Sequence, residues 1–135
     1  MVFVRVGGRL TVVLLVVGLA CSAGNGGAPG GDVSGAWCGL PVTTAEACVG
    51  DEVIYAELGQ AGSTVTGQSC EYYLGACYPI ENGSLMATTL VFDYTFSPDR
   101  VDASLILSAD GQTLTGTYAS TKCSCDVPVT LHRLP

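Results

Sequence analysis

Basic residues are scarce: five lysines and arginines stand against twelve aspartates and glutamates. Two of the five, Arg5 and Arg9, fall at the start, so the chain from Cys21 onward sets Arg100, Lys122 and Arg133 against all twelve acids, 3 − 12 = −9. Such a chain repels polyanions, which excludes nucleic-acid binding and adsorption to anionic headgroups, and it attracts a basic protein. There is one histidine, His132, so a zinc site or a hydrolase base would have to be built on it. Strand alternation sets His132 opposite Val129 and Leu131, facing solvent, and neither role is expected. Carboxylate pairs can be drawn from Asp93, Asp99, Asp102 and Asp110, but any acidic barrel offers such pairs. No glycine-rich phosphate loop opens a helix, and no stretch after Cys21 keeps a helical period. The expectation is a protein without catalytic residues, metal or cofactor.

An apolar run long enough to span a bilayer, about 20 residues, is also missing. Leu10 to Ala20 is apolar but is cut off by Cys21, Ser22 and a glycine-rich tract, and the segment before it carries Arg5 and Arg9 without an acid. This is the layout of a cleaved export signal. Gly18-Leu19-Ala20-Cys21 resembles the lipobox of bacterial lipoproteins, which implies cleavage before Cys21 and acylation of its thiol and new amino terminus. Each buried CH₂ contributes roughly 0.8 kcal/mol, so several chains anchor the protein to a lipid bilayer. The competing reading is an ordinary signal peptide cut after Ser22 or Ala23. Three regions follow: a signal peptide over 1–20, the lipidated Cys21 with a flexible tether over 21–32, and a folded domain over 33–135. The tether, rich in glycine, reaches on the order of 20 Å. Ser22 after the cysteine lacks the aspartate that retains many lipoproteins at the inner membrane, so the expected address is the cell envelope, at an outer membrane, facing the periplasm or the surface.

Seven cysteines become one modified residue and six others: Cys38, Cys48, Cys70, Cys77, Cys123 and Cys125. In an exported domain of this size six cysteines read as three disulfides, with fifteen pairings possible. Cys123 and Cys125, two apart, share a face if they lie on a strand, and joining them would then strain the backbone. The preferred pairing has Cys70–Cys77 closing a local loop, with Cys38 and Cys48 tied to Cys123 and Cys125.

Alternation of apolar and polar residues is what recurs in the domain. Val101, Ala103, Leu105, Leu107 and Ala109 make one face of a strand; Met86, Leu90, Phe92, Tyr94 and Phe96 make another; Val127, Val129 and Leu131, with Arg133, make a third. Leu58 to Gly67 and Leu107 to Gly116 echo each other, each reading as a β-hairpin ending in Thr-apolar-Thr-Gly. Segments near 33–38, 52–59, 63–70, 84–88, 89–97, 100–109, 112–120 and 126–134, with 77–81 the least secure, give about eight strands. The fold expected is all-β, an antiparallel up-and-down meander closing into a small barrel, with a β-sandwich as the alternative.

Gly35-Ala36-Trp37 resembles the Gly-x-Trp of the first strand of lipocalins and related calycin barrels, in which a basic residue late in the last strand lies across the indole. Arg133 falls where that residue would be. The resemblance implies that Gly35, Trp37 and Arg133 plug one end of the barrel without touching a ligand. The chain also resembles small β-barrel lipoproteins and periplasmic inhibitors that begin with Gly-x-Trp and carry an early disulfide.

Tyr72 and Tyr73, framed by Cys70 and Cys77 and followed by Tyr78, form a candidate binding loop, since pinned aromatics offer contact area at low entropic cost; the alternative is that they lid the core. Three functions remain: binding of a basic envelope protein, as an inhibitor does; carriage of a small apolar ligand; or a structural surface lipoprotein. Intact-mass analysis of protein from native membranes is expected to give a chain that begins at Cys21 with acyl chains and gains six protons on reduction. A soluble product starting after Ser22 or Ala23 removes the lipid anchor.

Overall fold

The computed structural model describes residues 2–6, 9–13, 31–71 and 76–135. Cys21 and most of the tether, with Tyr72 and Tyr73, lie outside the described residues. The backbone of β1 (Val2–Val6) pairs antiparallel with β2 (Arg9–Val13) in a ribbon of its own. The remaining strands are β3 (Gly35–Cys38), β4 (Ile54–Ala61), β5 (Thr64–Glu71), β6 (Ala76–Pro79), β7 (Glu81–Met86), β8 (Thr89–Phe96), β9 (Asp99–Leu107), β10 (Thr113–Ser120) and β11 (Cys125–Arg133). A single 3₁₀ turn, Ala45–Ala47, interrupts the long connection from β3 to β4.

Eight of these strands close an antiparallel barrel, in the order β3-β4-β5-β7-β8-β9-β10-β11 and back to β3, and β6 is an extra strand on β5. β6 and β7 follow each other along the same edge of β5: Gln68 to Glu71 face Pro79 to Ala76, while Thr64 and Val65 face Ser84 and Gly83. The sandwich alternative is set aside, because β11 and β3 join through His132 opposite Cys38 and Arg133 opposite Trp37.

The echoed sequences form the β4–β5 and β9–β10 hairpins. Gly62, at φ 62°, takes the first of two central turn positions between Ala61 and Thr64, a conformation that suits glycine in tight hairpins. The glycine that ends each echo lies where two strands come close together. A Cβ on Gly67 would collide with the carbonyl of Glu57, and one on Gly116 with that of Ser104, so a side chain at either place would force neighbouring strands apart.

Alternation delivers the core. Leu90, Phe92 and Tyr94 of β8, Val101, Ala103, Leu105 and Leu107 of β9, and Leu114 and Tyr118 of β10 point inward with Trp37, Leu58, Val65 and Leu131. Three residues depart from the expected apolar faces. Ala109 is exposed, because the strand ends at Leu107 and Ala109 lies in the turn beyond it. Met86 is 73% exposed, because it ends β7 and is separated from β8 by a turn in which Ala87 takes φ 54°. Val127 is 43% exposed, because β3 stops at Cys38 and leaves β11 without a neighbour on that side below Leu131 among the described residues.

Candidate functional site

One end of the barrel is closed by the Gly-x-Trp residues. Trp37 is fully buried, and its Nε1 donates to the Val33 carbonyl at 2.9 Å. The Arg133 guanidinium lies 4.3 Å from the indole centroid. It also donates to three carbonyls: Nε to Gly111 at 2.8 Å, Nη1 to Ser34 at 2.6 Å, and Nη2 to Asp32. Last strand, first strand and the β9–β10 turn are thus tied through one side chain. Gly35 takes φ 124°, a backbone position that excludes most side chains beside that guanidinium. The Asp32 carboxyl is held below its ordinary range, chiefly by the Ser34 backbone N–H it accepts.

The opposite mouth is aromatic and polar. Tyr94 donates from its hydroxyl to Glu71 Oε1 at 2.5 Å, and the Tyr118 and Ser69 hydroxyls stand 3.4 Å apart. Tyr78 stacks on Tyr94, with ring centroids 5.6 Å apart and planes 9° apart, and touches Phe96. Tyr78 is half-buried and packs against the core. Where β3 has stopped, a slit of ≈ 270 Å³ opens at this mouth, lined by Glu52, Ile54, Glu71, Val101, Tyr118 and Val127 among others.

A third feature lies on the outer wall. Cys38, Tyr55, Cys70 and Cys77 stand in one row across β3, β4, β5 and β6. Cys38 bonds to Cys48, which draws the 3₁₀ turn against the wall, and Cys70 bonds to Cys77. Between them lies a hollow of ≈ 410 Å³ lined by Cys48, Val49, Tyr55, Gln68, Cys70 and Cys77 among others. Tyr55 donates to Glu57 Oε1 at 2.7 Å, and Gln68 Nε2 donates to Glu57 Oε2 at 3.2 Å. The arrangement is an apolar floor with a hydrogen-bonded rim, which suits recognition of a partner. Sequence reasoning missed Tyr55, Glu57 and Gln68. The signal was there, since a two-residue turn at Gly62 and Ser63 sets Tyr55 opposite Cys70.

The third disulfide joins Cys123 to Cys125, which corrects the expectation that Cys38 and Cys48 reach them. Two physical facts explain the difference. Cys123 and Ser124 belong to the turn between β10 and β11, not to a strand, and Ser124 at φ 50° redirects the chain between the two sulfurs. Cys38 stands opposite His132, seven residues along β11 from Cys125, which is roughly 23 Å at about 3.3 Å per residue. His132 itself is half-buried in register between Thr113 and Cys38. Among the described residues, no group of three His, Cys, Asp or Glu side chains could hold a metal ion.

The class defined by these observations is a small closed antiparallel β-barrel stapled by disulfides. No protein-family model matches the chain, and neither a curated protein nor a solved structure matches it.

Removing the Arg133 head should cost a few kcal/mol, because cation–π contact contributes about 0.5–2 kcal/mol and each carbonyl loses a charged donor. Arg133→Ala is expected to lower the urea midpoint, with Arg133→Lys recovering only part, and Trp37, the single tryptophan, reports both by its fluorescence. An unchanged midpoint in Arg133→Ala would show that closure does not depend on this contact.

Burial, reinforced by the Glu57 hydrogen bond, pushes the Tyr55 hydroxyl from 10.0 up to about 12. Burial also raises Tyr94 and Tyr118. The unfolded chain gives up these protons near pH 10.0, while the folded chain keeps them. The stability they contribute is therefore complete below pH 10 and falls as pH rises through the folded values. Absorbance titration is expected to show these three phenols ionising late, together with loss of fold; a single step near pH 10 with the fold intact contradicts this.

Proposed function

We propose that the chain is an acylated envelope protein whose barrel binds a basic protein through its outer surface. The filled barrel axis carries this reading: Trp37, Tyr94, Leu90, Leu105, Leu114 and Leu131 are all fully buried, and they occupy the space that a deep ligand cup requires. Three features add support. The hollow beside Cys48, Tyr55 and the Cys70–Cys77 bridge lies on the outside wall and is held rigid by two disulfides, which lowers the entropic cost of binding. The chain beyond Cys21 is strongly acidic, which steers a basic partner and hastens its encounter. Arg133 across Trp37 resembles the closed end of lipocalin-like barrels, where it serves the scaffold and leaves the opposite mouth and outer wall for recognition.

The anchor through Cys21 and an outer-membrane address belong to the same reading, with the partner met in the periplasm or at the surface. Carriage of a small apolar ligand is a second reading that one observation favours. Ile54, Val101, Tyr118 and Val127 give the slit an apolar lining, so any such ligand would enter there and not along the axis.

The immobilised chain is expected to retain a basic lysozyme or a basic envelope protease at low salt and to release it as salt rises. Tyr55→Ser and Val49→Ser, on the disulfide-framed wall, are expected to weaken retention by about tenfold together, in line with loss of an aromatic contact at an interface. Failure to retain any basic protein, with saturable uptake of an apolar fluorescent probe, transfers the function to ligand carriage.

A further inference from the structure

The disulfides are not alike. Cys38–Cys48 and Cys70–Cys77 have sequence separations of 10 and 7, and Cys38, Cys48 and Cys70 are buried. Cys38 and Cys48 pack together with Leu134, and Cys70 stands directly opposite Cys77 on paired strands, so packing and pairing hold these sulfurs near each other. Cys123–Cys125 has a separation of only 2 and joins a turn residue to the first residue of β11. Cross-linking so short a stretch removes little freedom from the unfolded chain, because that gain rises with loop length. Stability does not account for this bridge.

Three independent observations point to reactivity. Cys123 is exposed and Cys125 half-buried, so an attacking thiolate has the access to Cys123 that exchange requires. Ser124 between them holds φ 50°, a left-handed conformation that costs a residue with a side chain, and opening the bridge frees Ser124 to leave it. A disulfide that is exposed, and whose opening relieves the backbone, is of the labile kind. Cys123 also lines the slit beside Ile54, Val101, Tyr118 and Val127, so an apolar surface adjoins the reactive sulfur.

We propose that Cys123–Cys125 is a thiol–disulfide exchange site, which passes its disulfide to a dithiol polypeptide with apolar residues beside the reacting cysteine. A substrate thiolate attacks Sγ of the exposed Cys123. Its sulfur bonds to Cys123 as the Cys123–Cys125 bond breaks, and the electron pair leaves on Cys125 Sγ, which takes a proton from water. A second thiolate of the substrate then attacks the first substrate sulfur, and Cys123 departs with the electron pair and is protonated in turn. The substrate loses two electrons and two protons and becomes a disulfide, while Cys123 and Cys125 become thiols. The protein's own disulfide is the oxidant, and no other is consumed. Apolar residues flanking the substrate cysteine lie in the slit. This activity requires neither a basic partner nor the acyl anchor, so it stands or falls apart from the proposed function.

The test equilibrates the full oxidised chain in glutathione buffers of graded thiol-to-disulfide ratio, alkylates it, and reads each cysteine pair separately by mass spectrometry. Cys123–Cys125 is expected to be half-reduced at a ratio at least about tenfold below that needed by either other pair. Ser124→Gly, which takes a left-handed conformation without that cost, keeps the bridge and should raise the ratio needed by about threefold. In a second assay the full chain meets an excess of a reduced synthetic peptide whose two cysteines are flanked by leucine and valine. About one equivalent of peptide disulfide per chain is expected, formed about threefold faster than from a serine-flanked peptide. The Cys123→Ser/Cys125→Ser variant should form none, with circular dichroism and Trp37 fluorescence checking its fold. A Cys123–Cys125 pair that resists reduction as well as the other two overturns the site, as does absence of peptide oxidation or its persistence in the double variant. Equal rates for the two peptides overturn the part given to the slit, and an unchanged or lowered ratio in Ser124→Gly overturns the part given to the backbone.

Discussion

Closure of the barrel depends on a very short seam. β3 has four residues, and only Trp37 and Cys38 stand opposite β11. Two register pairs are a weak join for a cylinder of eight strands, and the Arg133 guanidinium strengthens it. By covering the indole and donating to carbonyls of residues 32, 34 and 111, Arg133 replaces the ladder hydrogen bonds that a longer first strand would have made. The sole tryptophan is buried at the same place, so the largest apolar side chain and the tie across the seam support each other.

The same shortness shapes the other end. Once β3 leaves at Cys38, the outer edge of β11 from Cys125 to Leu131 has no strand beside it among the described residues. An open edge invites pairing with another chain. Asp126 and Pro128 lie on it; a charge and a residue without an N–H are what a protected edge carries. The departing segment folds back outside the barrel, where the Cys38–Cys48 bond and the Gly39 N–H donated to the Ile54 carbonyl at 2.8 Å hold it. The outer hollow and the slit both follow from where the first strand ends.

With the interior occupied, the proposed recognition falls to the outside and to the rim. Disulfides stiffen one wall, and on the opposite wall Arg100 bridges Asp93 and Asp102. Neither feature needs the barrel to open. The proposed binding asks little rearrangement of the protein, and its strength would rest on charge and shape at the surface.

Much of the fold was legible because a strand writes its burial into sequence with a period of two. Leu90, Phe92 and Tyr94, or Val101 to Leu107, declare their faces without reference to any neighbour, and the twin turns at Gly62 and Gly111 declare hairpins. The Gly35, Trp37 and Arg133 set was legible through its resemblance to known barrels. Met86 and Val127 misled for the same reason that the others succeeded: each looked apolar in the right phase, but a turn after one and a missing neighbour beside the other exposed them. By itself, then, the sequence determined the strand character, the meander, the acidity and an even set of cysteines in the folded domain. The tertiary structure alone decided that Cys123 bonds to Cys125, that Tyr55 lies between two disulfides, and that Arg100 bridges Asp93 and Asp102. Those outcomes depend on register between strands, which is set by turn length, by the bulge between Glu81 and Ser84 and by the stagger needed to close a cylinder, quantities that no single strand encodes.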